Sequence, residues 1–102
     1  MFNIFRKIPS ISTKTLESIV GEIQLIDVRT ANEYKNGHIL GAKNVPLHTI
    51  DKFESNQKVY VICQSGMRSK RAAKHLISKD LDVVNVKGGM NAWTGKTVTG
   101  KR

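Results

Sequence analysis

Val59-Tyr60-Val61-Ile62-Cys63-Gln64-Ser65-Gly66-Met67-Arg68-Ser69 is the stretch on which the reading of this chain turns. Its first four residues are an unbroken β-branched and aromatic run, the pattern of a strand buried on both faces of a parallel sheet. From Ser69 to Lys79 the apolar residues Ala72, Ala73, Leu76 and Ile77 fall on one helical face, with Lys70, Arg71, Lys74 and Lys79 mostly elsewhere. The only cysteine of the chain therefore stands in a short polar loop, at the carboxyl end of a strand and facing the N-terminus of a helix. Unpaired backbone N–H groups and the positive end of a helix favour the thiolate, which is the nucleophilic form. Gly66 permits backbone angles that turn successive N–H groups inward as an anion-binding nest. Cys63 is the candidate nucleophile. A lone cysteine is otherwise a small buried hydrophobe, and its strand-loop-helix setting is what argues against that reading here.

Working outward, Pro9-Ser10-Ile11-Ser12 reads as an extended entry, and Ser12 or Thr13 caps a helix that runs to about Val20 and ends at Gly21. Gln24 to Val28 is a strand. Thr30-Ala31-Asn32-Glu33 has the form of a capping box and opens a short helix to about Asn36. Ala42 to Val45 is a short strand stopped by Pro46, and Leu47 to about Phe53 a short helix. Beyond the cysteine helix, Val83 to Val86 is the last strand, Lys87-Gly88-Gly89 a tight connection, and Met90 to Trp93 a helical turn whose Trp93 packs on the sheet. Thr97 to Arg102 is polar and basic and reads as a frayed end. Strands alternating with helices predict a three-layer α/β/α domain with a mainly parallel sheet of about five strands. One domain is expected over residues 1–102, with its core in about residues 9–95 and a basic tail in about 96–102.

Seventeen Lys and Arg against eight Asp and Glu give a formal charge of +9. Such a field draws anions toward the molecule, and Lys70, Arg71 and Lys74 near the expected mouth suit the steering of a small anionic substrate. The six aromatic residues are not interleaved with the basic ones, which argues against a dedicated nucleic-acid surface. One thiol cannot build a cysteine metal site, and His38, His48 and His75 lack ligand spacing, so neither metal nor cofactor is expected. A single cysteine fits a reducing cytoplasm. Met1 to Ile8 is apolar and basic but lacks the roughly 7–15-residue apolar core of a signal peptide. No stretch approaches the roughly 20 apolar residues of a membrane span.

Five stretches together carry a resemblance. Leu25-Ile26-Asp27-Val28-Arg29-Thr30-Ala31-Asn32-Glu33-Tyr34 is followed by Gly37-His38-Ile39-Leu40-Gly41-Ala42 and by Asn44-Val45-Pro46, then by the cysteine stretch and Lys87-Gly88-Gly89-Met90-Asn91-Ala92-Trp93. In this order and at these intervals, from about Ile11 to Trp93, the chain resembles the single-domain rhodaneses. The resemblance implies a thiosulfate sulfurtransferase working by a ping-pong mechanism. Cys63 would take the sulfane sulfur from thiosulfate or a persulfide donor and hold it as a persulfide, cradled by the backbone amides from Gln64 through Ser65, Gly66, Met67 and Arg68 to Ser69. Arg68 would meet the anionic sulfonate. With no second cysteine, the sulfur must leave to an external acceptor: a small thiol, cyanide or a sulfur-relay protein.

Outside the loop, Asp27 and Arg29 are expected to support the floor of the pocket, with Asp27 paired to basic groups or backbone amides. Arg29 and Glu33 are spaced to pair across the start of a helix. His38 is read as structural, since a thiolate at a helix N-terminus needs no histidine partner. Two other readings stand beside the transferase. Cysteine phosphatases and the arsenate reductases on the same fold carry their arginine one place further from the cysteine than Arg68 stands here, giving a wider loop suited to a tetrahedral oxyanion. A non-catalytic binding, regulatory or sulfur-carrier module is the other; such relatives commonly lose the cysteine or its loop, and this chain keeps both.

Overall fold

The protein is described from a computed structural model, over residues 7–100. Five strands form one sheet: β1 (Ser10–Ile11), β2 (Gln24–Asp27), β3 (Lys43–Asn44), β4 (Val59–Ile62) and β5 (Val83–Val86). Their order is β1-β5-β4-β2-β3, and every pairing is parallel. The helices are α1 (Thr13–Ile19), α2 (Ala31–Lys35), α3 (Met67–Ser78) and α4 (Gly89–Ala92), with 3-10 turns at Val20–Glu22 and Leu47–Lys52. The expected α/β/α layering is present. Val59, Val61 and Cys63 of the β4 segment face a core closed by Ala72, Ala73 and Leu76 of α3 and by Ile50. Ile62 and Tyr60 point the other way, into a core with Leu16 of α1, Tyr34 of α2 and Met90 of α4. Period-two alternation thus assigns the cysteine to the α3 side.

The order of strands also fixes where a site can form. From β2 the chain steps to β3 at one edge, then returns across β2 to β4 and continues to β5 in the opposite direction. In an open parallel sheet the crevice at such a reversal lies beyond the carboxyl ends of the strands. Here it separates Asp27 at the end of β2 from Cys63 just after β4, which stand one strand apart because Asp27 pairs with Ile62.

Local signals were obeyed where they were chemical. Ser12 caps α1, accepting the Thr15 amide at 3.1 Å. Thr30 and Glu33 form both halves of the capping box on α2. Trp93 packs against the α1 side of the core. The expected short helix is present at Leu47–Lys52, in the 3-10 form. Three expectations are corrected. Gly21 does not end α1; the chain tightens into the 3-10 turn and leaves it at Ile23 in extended geometry. The cysteine helix starts at Met67, two residues before Ser69, because Gly66 takes the N-cap position. The basic tail is not frayed in its described part: His38 and Val98 form an antiparallel bridge and the Gly100 amide donates to the Lys35 carbonyl at 2.8 Å. Of the N-terminal segment, Met1 to Arg6 lies outside the described residues, as do Lys101 and Arg102, while Ile8 packs on the α3-side core. Among the described residues no helix is long and apolar enough to cross a membrane.

Candidate active site

Cys63 is fully enclosed at the carboxyl end of β4, beneath the N-terminus of α3. The Gly66 amide donates to its Sγ at 3.0 Å. That contact requires the left-handed backbone of Gly66, φ 105°, which a side chain would oppose. Ser69, also fully buried, has its Oγ 3.3 Å from Sγ and donates to the Gly66 carbonyl at 3.2 Å. A thiol at Cys63 can donate to this hydroxyl; toward a thiolate the hydroxyl proton can turn from the carbonyl to the sulfur. Both contacts therefore accommodate negative charge on sulfur.

The loop is clamped from the far side by α4. The Met90 and Asn91 amides donate to the carbonyls of Cys63 and Gln64 at 2.8 and 2.9 Å. Gly89, at φ +57°, passes so close to the loop that a Cβ there would collide with those same two carbonyl oxygens. The Gln64 side chain donates to Asn91 Oδ1 at 2.7 Å and accepts from Arg29 Nη1 at 3.1 Å. It joins α4 to the end of β2.

Two carboxylate–guanidinium pairs complete the surroundings. Asp27 and Arg29 are both buried: Asp27 Oδ2 lies 2.8 Å from Arg29 Nη2, and Oδ1 accepts the Arg29 amide and Nε, each at 3.0 Å. Arg29 Nη2 also donates to the Gly37 carbonyl at 2.8 Å. At the rim, Arg68 grips Glu33 with both arms, Nη1 to Oε1 at 2.7 Å and Nη2 to Oε2 at 2.9 Å. The hydrogen bonds from Arg68, with help from the Thr30 amide and hydroxyl, hold the Glu33 carboxyl down at about 2 against the opposing effect of burial. Arg68 is raised in turn, chiefly by the hydrogen bond to Glu33. The expected Arg29–Glu33 pair is therefore replaced: Arg29 turns inward to Asp27, and Glu33 serves Arg68. Met67 of the loop sequence is 72% exposed.

Residues 12–96 match the family described as Rhodanese-like domain. The chain belongs to the rhodanese-like family. It is 41% identical over 98 residues to the "Putative sulfurtransferase YtwF" of Bacillus subtilis, covering 89% of this chain and 95% of that one. To the "Thiosulfate sulfurtransferase GlpE" of Shewanella oneidensis it is 34% identical over 76 residues, 70% of this chain and 75% of that one. Among solved structures, a rhodanese-like domain protein from Staphylococcus aureus superposes with a TM-score of 0.82 at 35% identity, over 91% of this chain and 99% of that one. The chain spans 62% and 53% of the lengths of two further Bacillus subtilis relatives, YqhL and a "Putative sulfur carrier protein YrkF".

Within this rhodanese-like frame His38 is buried, its Nδ1 2.7 Å from the Tyr34 carbonyl and its ring stacked on Tyr34 at 3.6 Å. Tyr34 donates its hydroxyl to the Ala42 carbonyl, and its ionisation is pushed up by burial first and then by the charge of Asp27. Among the described residues, Cys63 Sγ accepts from the Gly66 amide and pairs with the Ser69 hydroxyl. Sequence reasoning missed the clamp made by Gly89 and Asn91 and the partnership of Glu33 with Arg68. The glycine pair was a readable signal for the first; nothing local to Glu33 announced the second, which joins residues 35 places apart.

Proposed function

We propose that the chain is a sulfurtransferase that carries sulfane sulfur as a persulfide on Cys63. The observation that carries this reading is the setting of Sγ: sealed from solvent at the end of β4, with the Gly66 N–H at 3.0 Å and the Ser69 hydroxyl at 3.3 Å. With thiosulfate as donor, the Cys63 thiolate attacks the outer sulfur, a new S–S bond forms, and the old one breaks with its electron pair leaving on sulfite. An alkyl persulfide donor reacts in the same way and releases its thiolate. An acceptor thiolate, or cyanide, then attacks the outer sulfur of the Cys63 persulfide, and Cys63 leaves as the thiolate that began the cycle. The protein's part is to keep charge on sulfur stable through both displacements, and fixed donors that need no reorganisation do that. Asp27 and Arg29 hold the pocket floor and, through Gln64, the start of the loop. Arg68 stands at the mouth with its charge answered by Glu33, so a sulfonate has to share or displace that carboxylate.

The test is intact-protein mass after brief exposure to thiosulfate, on the native chain and on Cys63→Ser, followed by cyanide. The expected result is a gain of about 32 mass units on the native chain alone, removed by cyanide with formation of thiocyanate. A gain on the serine variant, or an adduct that cyanide leaves in place, overturns the assignment of Cys63. Loading by an alkyl persulfide but not by thiosulfate keeps the persulfide chemistry and assigns the chain to the carrier side of the family.

A further inference from the structure

The outer face of α3 carries a feature that the chemistry at Cys63 does not use. Met67, Lys70, Arg71 and Lys74 are all exposed and follow one another at the spacing that lines one side of a helix. The opposite side holds Ser69, Ala72, Ala73 and Leu76, all buried. No Asp or Glu lies anywhere in α3. Among the described residues the ion pairs are Arg29–Asp27, Arg68–Glu33 and His75–Asp51, so none engages Lys70, Arg71 or Lys74. Lys70 also falls in the first helical turn, where a cation opposes the positive end of the helix dipole; Arg68 in the same turn is answered by Glu33, but Lys70 is not. A row of unpaired cations set against the local field is a poor way to stabilise the helix. It begins beside the cysteine loop with Met67, 72% exposed, an adaptable apolar side chain of the kind that accepts varied contacts.

We infer that the Met67–Lys70–Arg71–Lys74 face is a docking surface for an acidic protein segment that presents a thiol to the Cys63 persulfide. Met67 receives an apolar residue of that segment, and the three cations meet its carboxylates along α3. The segment's thiolate attacks the outer sulfur of the persulfide, the S–S bond breaks toward Cys63, and the segment leaves as the persulfide. This rests on the persulfide reading above. A merely solubilising surface is the alternative, and it predicts no preference for position: cations elsewhere on the chain would do as well.

The probes are a short fluorescent peptide rich in glutamate with one leucine and one cysteine, and its counterpart with glutamine in place of glutamate. Binding to the full chain is read by anisotropy, which requires no persulfide. The acidic peptide is expected to bind at least about tenfold tighter, with the difference shrinking as salt rises. The variant Lys70→Glu/Arg71→Glu/Lys74→Glu loses that preference. A second variant, Lys14→Glu/Lys35→Glu/Lys43→Glu, carries the same net charge on other exposed positions and keeps the affinity within about threefold of the native chain. Equal losses in the two variants overturn the site, and so does equal binding of the two peptides. Tighter binding of an oligonucleotide than of the acidic peptide overturns the partner class. Delivery of sulfur is read separately, by peptide mass after mixing with chain pre-loaded from inorganic polysulfide. The acidic peptide is expected to take the sulfur faster than its glutamine counterpart from the native chain but not from the α3 variant. A chain that cannot be loaded at all counts against the persulfide reading, whereas a loaded chain serving both peptides equally counts against the docking surface.

Discussion

Asp27–Arg29 and Glu33–Arg68 pair the same functional groups at nearly the same distance, 2.8 and 2.7 Å, on two sides of one loop. Their surroundings differ. The side chains of the first are 5% exposed for Arg29 and fully buried for Asp27; those of the second are about a third exposed. Arg29 spreads its donors over Asp27, Gln64 and the Gly37 carbonyl, so its removal strands several acceptors at once. Arg68 gives both arms to one carboxylate, and water can stand in for either partner. The inner pair is built into the architecture, and the outer pair is the one that solvent can open.

Removing Arg29 should therefore show the largest effect. Arg29→Ala leaves the Asp27 carboxylate buried and without its partner, and a loss of about 3–5 kcal/mol in urea unfolding is expected. Arg29→Lys should recover little of it, because an ammonium cannot span three acceptors held in fixed directions. A loss under about 1 kcal/mol would place Asp27 in contact with water and erase the contrast between the pairs.

Arg68→Ala should reverse the balance between stability and activity. Stability is expected to change by no more than about 1 kcal/mol, since the pair is partly solvated. The kcat/KM for thiosulfate should fall roughly tenfold further than that for a simple alkyl persulfide, because only the former presents a sulfonate to the guanidinium. Equal losses with both donors would make Arg68 a shaper of the loop and not a contact of the sulfonate. Glu33→Gln asks the same question with the opposite sign. Freed from its carboxylate, Arg68 should lower the KM for thiosulfate by about two- to fivefold. A raised KM would mean that Glu33 aims Arg68 at the donor.

How legible each pair was follows from the range of the forces that make it. The strands, the capping box of Thr30 and Glu33, and the placement of Cys63 were readable because each rests on neighbours in sequence: side-chain alternation, a reach of three residues, a strand running into a helix. The five-stranded α/β/α architecture follows from the same periodicities. Arg29 was misassigned to Glu33 for a related reason. Their spacing fits a helical pair, but Arg29 precedes α2, ahead of the extended cap residue Thr30, and its side chain turns back to Asp27, two residues earlier. The Glu33–Arg68 and Gln64–Asn91 contacts depend on β4 lying next to β2 and β5, and that order is a property of the folded sheet. Gly89 was seen as a turn; that it must lack a side chain because two loop carbonyls press on it is visible only in three dimensions.

The smallest expected effect is the acid response of the outer pair. Glu33 has its carboxyl held at about 2 in the folded chain, below the ordinary value of 4.5, with the Arg68 hydrogen bond as the leading cause. A depressed carboxyl contributes stability that is fully present above the unfolded value and is lost as pH falls through the folded one. The window is therefore between about 4.5 and about 2. Solvent reaches a third of both side chains, so screening limits the contribution to under about 1 kcal/mol, well short of what the shift alone would give. Comparing the native chain with Glu33→Gln isolates it, because the glutamine does not titrate. The stability gap between the two should stay constant from neutral pH down to about 4.5 and close by about 2, and added salt should narrow it at neutral pH. A gap that persists unchanged to the acid end would assign Glu33's contribution to the cap on α2, where the Thr30 contacts are made, and leave Arg68 with no share in stability.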